Sequence, residues 1–252
     1  MRRHEFFIGV DVGLQGDFTT IAVIKRGPQL APDQLPELHV VDLQRTRGTT
    51  FVAVAAEINR LVDHLGGAAV AVDATGVGEG CWQESRRIGL RPIAVVIGGG
   101  TKVGGGPTRW TVPHSTLYER LYGVFATGRF RIAESLPMAE NLIRELQLVQ
   151  AKRTDRGQVH YEVPRTDQGH GDLLMGLALA TLLAEHQANR LVMQHRATTR
   201  PKGGDRPQGK PRQRGNLAKR IVEQRKEESR DESLRYAEAE RDRFRKAGWG
   251  TK

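Results

Sequence analysis

The chain has 252 residues, of which 38% are hydrophobic, and a formal net charge of +10, enough for one sizeable core with an appendage. No apolar run approaches the roughly 18 residues of a bilayer span, and the start "MRRHEFFIG" is too short and glycine-broken for a signal peptide, so the expectation is a soluble, cytoplasmic protein with no membrane partner. A single cysteine, Cys81, excludes an intrachain disulfide and a thiolate cluster, leaving oxygen or histidine as ligands for any metal.

The apolar run Phe6–Asp11 predicts a first strand, and Thr19–Lys25 predicts its partner beyond the turn "GLQGD". "ELHVVDLQ" is a third strand, and the short links make the three an antiparallel meander. Val54, Ile58, Leu61, Val62 and Leu65 recur at helical spacing before the stop signal Gly66-Gly67. A buried strand "AAVAVD", a glycine turn "ATGVGEG", a short helix near Gln83–Ile88 and a strand "RPIAVVIG" follow. The segment "GGGTKVGGGPTRW" reads as a mobile glycine-rich loop; it lacks the Gly-Lys-Ser/Thr ending of a phosphate loop. Beyond it, "STLYERLYGVFATG" and "PMAENLIRELQLVQ" predict helices, "QVHYEVP" a strand, and "GDLLMGLALATLLAEH" a helix apolar nearly all round, hence deeply buried. Alternation of strand and helix after the meander implies a mixed α/β sheet flanked by helices.

Past Asn189 the composition changes. Residues 191–252 hold 18 Lys and Arg against 9 Asp and Glu, a net of +9, which leaves +1 for the rest. The expected organisation is a folded domain over 1–188, a basic flexible linker over 189–216, and a charged, helical tail over 217–252. Such a segment suits a polyanion, because cations that neutralise a phosphate backbone release its counterions.

Three acids stand at the ends of otherwise apolar elements: Asp11 closes the first strand, Asp73 closes "AVAVD", and Asp172 opens the buried helix. Each alone has a plain structural role, as a turn residue or a first-turn acid. Together, at the strand ends of an open sheet where ligands bind, they would repel one another unless hard divalent cations neutralise them. Glu79 is near enough in sequence to Asp73 to reach such an ion, and His170 precedes Asp172 by two residues. Lys102, Arg109 and His114, in or beside the glycine-rich loop, are candidates for contact with a polyanion.

The ordered motifs "IGVDVGLQGDFTTIAVI", "VAVDATGVGEG", "WTVPHSTLYERLYGVFATGRFRIAESLPMAENLIREL" and "GHGDLLMGLALA" closely resemble the nuclease domain of tailed-phage terminase large subunits over roughly residues 5–188. The resemblance implies the RNase H-like (retroviral integrase) fold, with Asp11, Asp73 and Asp172 as catalytic metal ligands for two ions, Mg²⁺ or Mn²⁺. Asp17, in "GDFTT", matches a recurrent supporting acid. It further implies endonucleolytic cutting of double-stranded DNA during genome packaging. Two departures stand out: many members carry two acids where this chain has Gly171-Asp172, and often a lysine where it has His114. No Walker motif is present, so the implied partner is a separately encoded packaging ATPase. Two further readings share the fold: a catalytically inactive DNA- or motor-binding module, and a resolvase of branched DNA. A phosphate-cradling turn at Asp11-Val12-Gly13, as in sugar kinases and actin, would need a duplicated half that the chain ahead of Asn189 cannot hold.

Overall fold

The four central residues of Phe6–Asp11 (β1) are all buried, as an apolar strand covered on both faces must be. It pairs antiparallel with Phe18–Arg26 (β2), and β2 with Leu38–Arg47 (β3). The computed structural model describes residues 4–13, 16–31, 34–100, 102–133, 135–153, 159–164 and 171–199. Thr50 caps Phe51–His64 (α1) by accepting the Ala53 N–H at 3.2 Å, which satisfies one of the open donors of the first turn. Ala68–Asp73 (β4) then returns parallel to β1. Gly78–Arg87 (α2), Ile93–Gly98 (β5), Gly104–Gly105 (β6), Arg109–Pro113 (β7), His114–Ala126 (α3), Phe130–Ile132 (β8), Ala139–Leu148 (α4), Gln150–Arg153 (β9), Val159–Glu162 (β10) and Asp172–Thr199 (α5) complete the elements.

The main sheet has eight strands in the order β6-β7-β5-β4-β1-β2-β3-β8, and β9 and β10 form a separate hairpin. The expected antiparallel meander followed by parallel strands is therefore present, with β4, β5 and β7 parallel to β1. Side-chain alternation divides the core in two. Ile8, Val10, Val70 and Val72 pack with Val54, Ile58 and Trp82 of α1 and α2. Phe7, Ala69, Ala71 and Val95 face Leu117, Leu142, Leu174 and Leu177 of α3, α4 and α5. Among the described residues no helix is long and apolar enough to cross a membrane.

Several elements differ from expectation. The glycine-rich segment supplies β6 and β7, and β7 joins β5 in register from Ala94↔Arg109 to Gly98↔Pro113; the pairing is long-range, so local composition hides it. The expected helix at Gln83–Ile88 begins earlier, at Gly78, because Gly78, Cys81, Trp82 and Ser85 bury one face. The helix predicted through Gln150 stops at Leu148, where Val149 turns extended and β9 begins. Last, α5 runs from Asp172 to Thr199, longer than the apolar run that predicted it; no proline interrupts the sequence between Asp172 and Pro201. Residues 201–252 form a second unit of the chain and lie outside the described residues, as does His170.

Candidate active site

The register sets the geometry. Val10 of β1 lies beside Val72 of β4, so the next residues, Asp11 and Asp73, stand side by side at the ends of adjacent parallel strands, about 4.8 Å apart in the pairing direction. Asp11 is also the register partner of Thr20, and Thr20 of Arg45. In-register neighbours share a face, so Asp73, Asp11, Thr20 and Arg45 form one row across four strands on the face covered by α5.

Asp172 reaches this row because α5 approaches β1 unusually closely. A Cβ on Gly9 would lie 2.0 Å from the Gly176 carbonyl oxygen and 2.5 Å from the Ala180 nitrogen, and one on Gly176 would lie 2.9 Å from Thr20 Cγ2. Two residues on from Gly9 is Asp11, and one helical turn back from Gly176 is Asp172, so the glycine contact sets the helix start over the strand end. Asp172 is itself 4% exposed.

The electrostatics record the convergence. The Asp11 carboxyl is held well above the ordinary carboxylate range, first by burial and then by the charges of Asp73, Asp172 and Glu145, with only the Val12 N–H opposing. Burial also raises Asp73, although its Oδ1 accepts the Thr75 N–H at 2.8 Å. Thr75 in turn accepts the Ile97 N–H on its hydroxyl at 2.8 Å, tying the β4 end to β5.

Glu145 of α4 is the acid the sequence reading missed. Its Oε2 accepts the Leu174 N–H at 3.1 Å in the first turn of α5, and its Oε1 meets Arg45 Nη1 at 3.2 Å, with both side chains 8% exposed. Burial and the negative Asp172 push it up to about 7, against the Leu173 and Leu174 N–H groups and Arg45. A signal was present: Ala139, Leu142 and Glu145 share the buried face of α4 at three-residue spacing, so the acid lies on an apolar stripe.

The other candidates are dispersed. Asp17 is exposed at the start of β2 and is absent from the charges acting on Asp11. Arg109 points to the opposite face, where its Nη2 binds Glu79 at 2.7 and 2.8 Å and its guanidinium lies 4.9 Å from the Trp82 ring. That pairing also takes Glu79 away from the acids. Lys102 is exposed in the link that leaves the acid-bearing end of β5. His114 is half-buried at the start of α3, 4.9 Å ring to ring from Tyr118, and Tyr118 is raised by burial and by Asp11, Glu145 and Asp172. Position 171, where a second acid is absent, has φ +95°, and a Cβ there would meet Val163 Cγ2 at 2.9 Å, so a side chain at this position is strained and displaces Val163.

The donor set suits hard cations. Its groups are carboxylates, and beside Asp11 the Thr20 hydroxyl is buried with no hydrogen-bond partner among the described residues. Among those residues no three His, Cys, Asp or Glu side chains already stand at metal-holding distances. The acids are gathered rather than closed on one point.

Residues 8–183 match the family model described as "Terminase RNaseH-like domain". The crystal structure of the large terminase nuclease from thermophilic phage G20c with bound magnesium is 22% identical, covers 72% of this chain and 89% of that chain, and has a TM-score of 0.50. The same nuclease with bound cobalt gives 23% identity, the same coverage and a TM-score of 0.50. At these identities the likeness speaks for the fold, an RNase H-like one. No curated protein matches the chain. With a match that runs from Ile8 to Leu183 and takes in the strands, the acids and the buried helix, the chain belongs to the terminase RNaseH-like domain family.

Proposed function

We propose that the protein is a divalent-metal-dependent endonuclease that hydrolyses phosphodiester bonds of double-stranded DNA. The observation that carries this is the placement of Asp73 beside Asp11 by strand register and of the start of α5, with Asp172, over them by the Gly9–Gly176 approach. Family membership supports the nuclease class, and the G20c neighbours were solved with magnesium and cobalt.

In this reading Asp11, Asp73 and Asp172 hold two cations, Mg²⁺ or Mn²⁺, which supply Lewis-acid charge and an activated water when bound. Asp11 would hold the ions together with Asp73 and Asp172, and the buried Thr20 hydroxyl, its register neighbour, lies beside it with no hydrogen-bond partner among the described residues. Tyr118, buried at the same point, excludes bulk water from one side of the carboxylates. The reaction joins a water oxygen to phosphorus and breaks the bond to the 3′ oxygen, which leaves with a proton. Residues 201–252, rich in cations, add sequence-independent DNA affinity, and an ATPase packaging motor is the partner that delivers DNA.

The deciding experiment is cleavage of supercoiled plasmid by the purified protein in Mn²⁺, Mg²⁺ and EDTA, alongside Asp73→Asn. Nicking or linearisation in metal, absent in EDTA and reduced at least about 100-fold in the variant, is the expected result. Cutting that persists in EDTA or in the variant would overturn it, and a folded, DNA-binding wild type that never cuts would favour the inactive binding module.

A further inference from the structure

Four carboxylates at one sheet end repel a phosphate backbone, so a substrate of that charge needs a positive contact close by. The row Asp11, Thr20, Arg45 continues outward by two residues to the register pair Phe18↔Arg47, on the same face and at the same end of the sheet. Two strand spacings and two residues of rise put this pair on the order of 10 Å to the side of Asp11 and about 7 Å outward, within the reach of a backbone whose scissile phosphate lies at the acids.

The two arginines of this edge have different surroundings. Arg45 is buried and paired with Glu145, and its guanidinium lies 4.5 Å from the Phe18 ring centroid. Arg47 lies 3.9 Å from the same centroid but is exposed, and no acid partners it among the described residues. Stacking on a half-buried ring holds the guanidinium plane while leaving its N–H fork open. An arginine immobilised in this way, facing solvent beside an anion-processing site, is suited to bidentate capture of phosphate oxygens.

We propose that Arg47, held against Phe18, is a DNA-backbone site that binds a phosphate flanking the one at the acids, an inference that rests on the nuclease reading above. The contact positions the duplex and carries no sequence information. Arg109, tied to Glu79 on the other face, is not part of it.

The test is duplex binding by the full chain in EDTA, where no cutting occurs, for wild type, Arg47→Ala, Arg47→Gln and Arg47→Lys between about 50 and 200 mM salt. One phosphate contact contributes about 0.9 to the slope of log affinity against log salt, so Arg47→Ala and Arg47→Gln are expected to lower the slope magnitude by about that amount. Arg47→Lys, which keeps the charge, is expected to restore the slope. The cationic C-terminal segment acts equally in all four proteins, so the difference isolates position 47. Melting temperatures within about 2 °C of wild type show that the fold is intact; should Arg47→Ala fall outside this, Arg47→Gln decides. An unchanged slope in a folded Ala or Gln variant overturns the proposal. Plasmid nicking in Mn²⁺, run in parallel, separates the two readings: a wild type that binds with the Arg47-dependent slope yet never cuts sinks the nuclease assignment and leaves the phosphate contact standing.

Discussion

Glu145 joins three elements: it sits on α4, accepts an N–H from the first turn of α5, and pairs with Arg45 on β3. Because both side chains are buried, Glu145→Ala removes a carboxylate partner of Arg45 and the acceptor of the Leu174 N–H, and is expected to cost about 3 kcal/mol in urea unfolding. The double variant Glu145→Met with Arg45→Met is expected to lose less than the sum of the single variants, since the interaction between the two side chains is then counted once. Additive losses would show that the pair is not coupled. In cleavage assays Glu145→Gln, whose amide oxygen still serves the Leu174 N–H, should retain more activity than Glu145→Ala at the same folded concentration. Equal activities would mean that the cap on α5 does not set Asp172.

At the level of elements, the contact of α5 with β1 determines whether the acids meet. Gly9→Ala puts a methyl 2.0 Å from the Gly176 carbonyl, and neither backbone can yield without lifting the helix. Overpacking of this kind costs about 1–3 kcal/mol. Plasmid cleavage should fall further than stability does, because the displacement is at the acids. Thr50→Ala is the matching control: it removes the α1 cap at 3.2 Å, should cost about 1 kcal/mol, and should leave cleavage per folded molecule unchanged. A Gly9→Ala protein that cuts like Thr50→Ala would refute the spacer role. Periodicity identified β1 to β4, α1, α3 and α5 well, since each has either a continuous apolar run or a clear helical stripe. It missed β6 to β9 because these strands are two to five residues long and are stabilised by partners distant in sequence rather than by their own pattern.

For the molecule as a whole, the buried acids predict an unusual pH dependence. Glu145 is raised from 4.5 to about 7 in the folded state, and Asp11 and Asp73 move in the same direction. The native state therefore holds more protons than the unfolded chain in this window. The stability these groups contribute is complete below their unfolded values and is lost as pH rises through the folded ones. For Glu145 the loss spans 4.5 to about 7 and is on the order of 3 kcal/mol. Glu57, Glu79 and Glu84 shift downward, but they are more exposed and their opposing effect is screened. In EDTA the melting temperature is expected to be higher near about pH 5 than near about pH 8. Added Mn²⁺ should raise it most at the alkaline end, by an amount equivalent to about 2.7 kcal/mol at a hundredfold excess over the dissociation constant. A melting temperature that climbs from pH 5 to 8 without metal would contradict the charge cluster.

The sequence by itself determined the class of fold and the three acids at element ends, because strand and helix periods and the punctuation by glycine are local properties of the chain. It also located the basic C-terminal segment. Only the tertiary structure decided which charged residues share a place. Asp11 and Asp73 meet through register, and Asp172 joins them through the Gly9–Gly176 approach; Arg109 turns to the other face, Glu145 enters from α4, and Arg47 of β3 lies against Phe18 at the same end of the sheet. Adjacency of this kind depends on strand pairing and helix packing between residues far apart in sequence, and no local pattern encodes those distances.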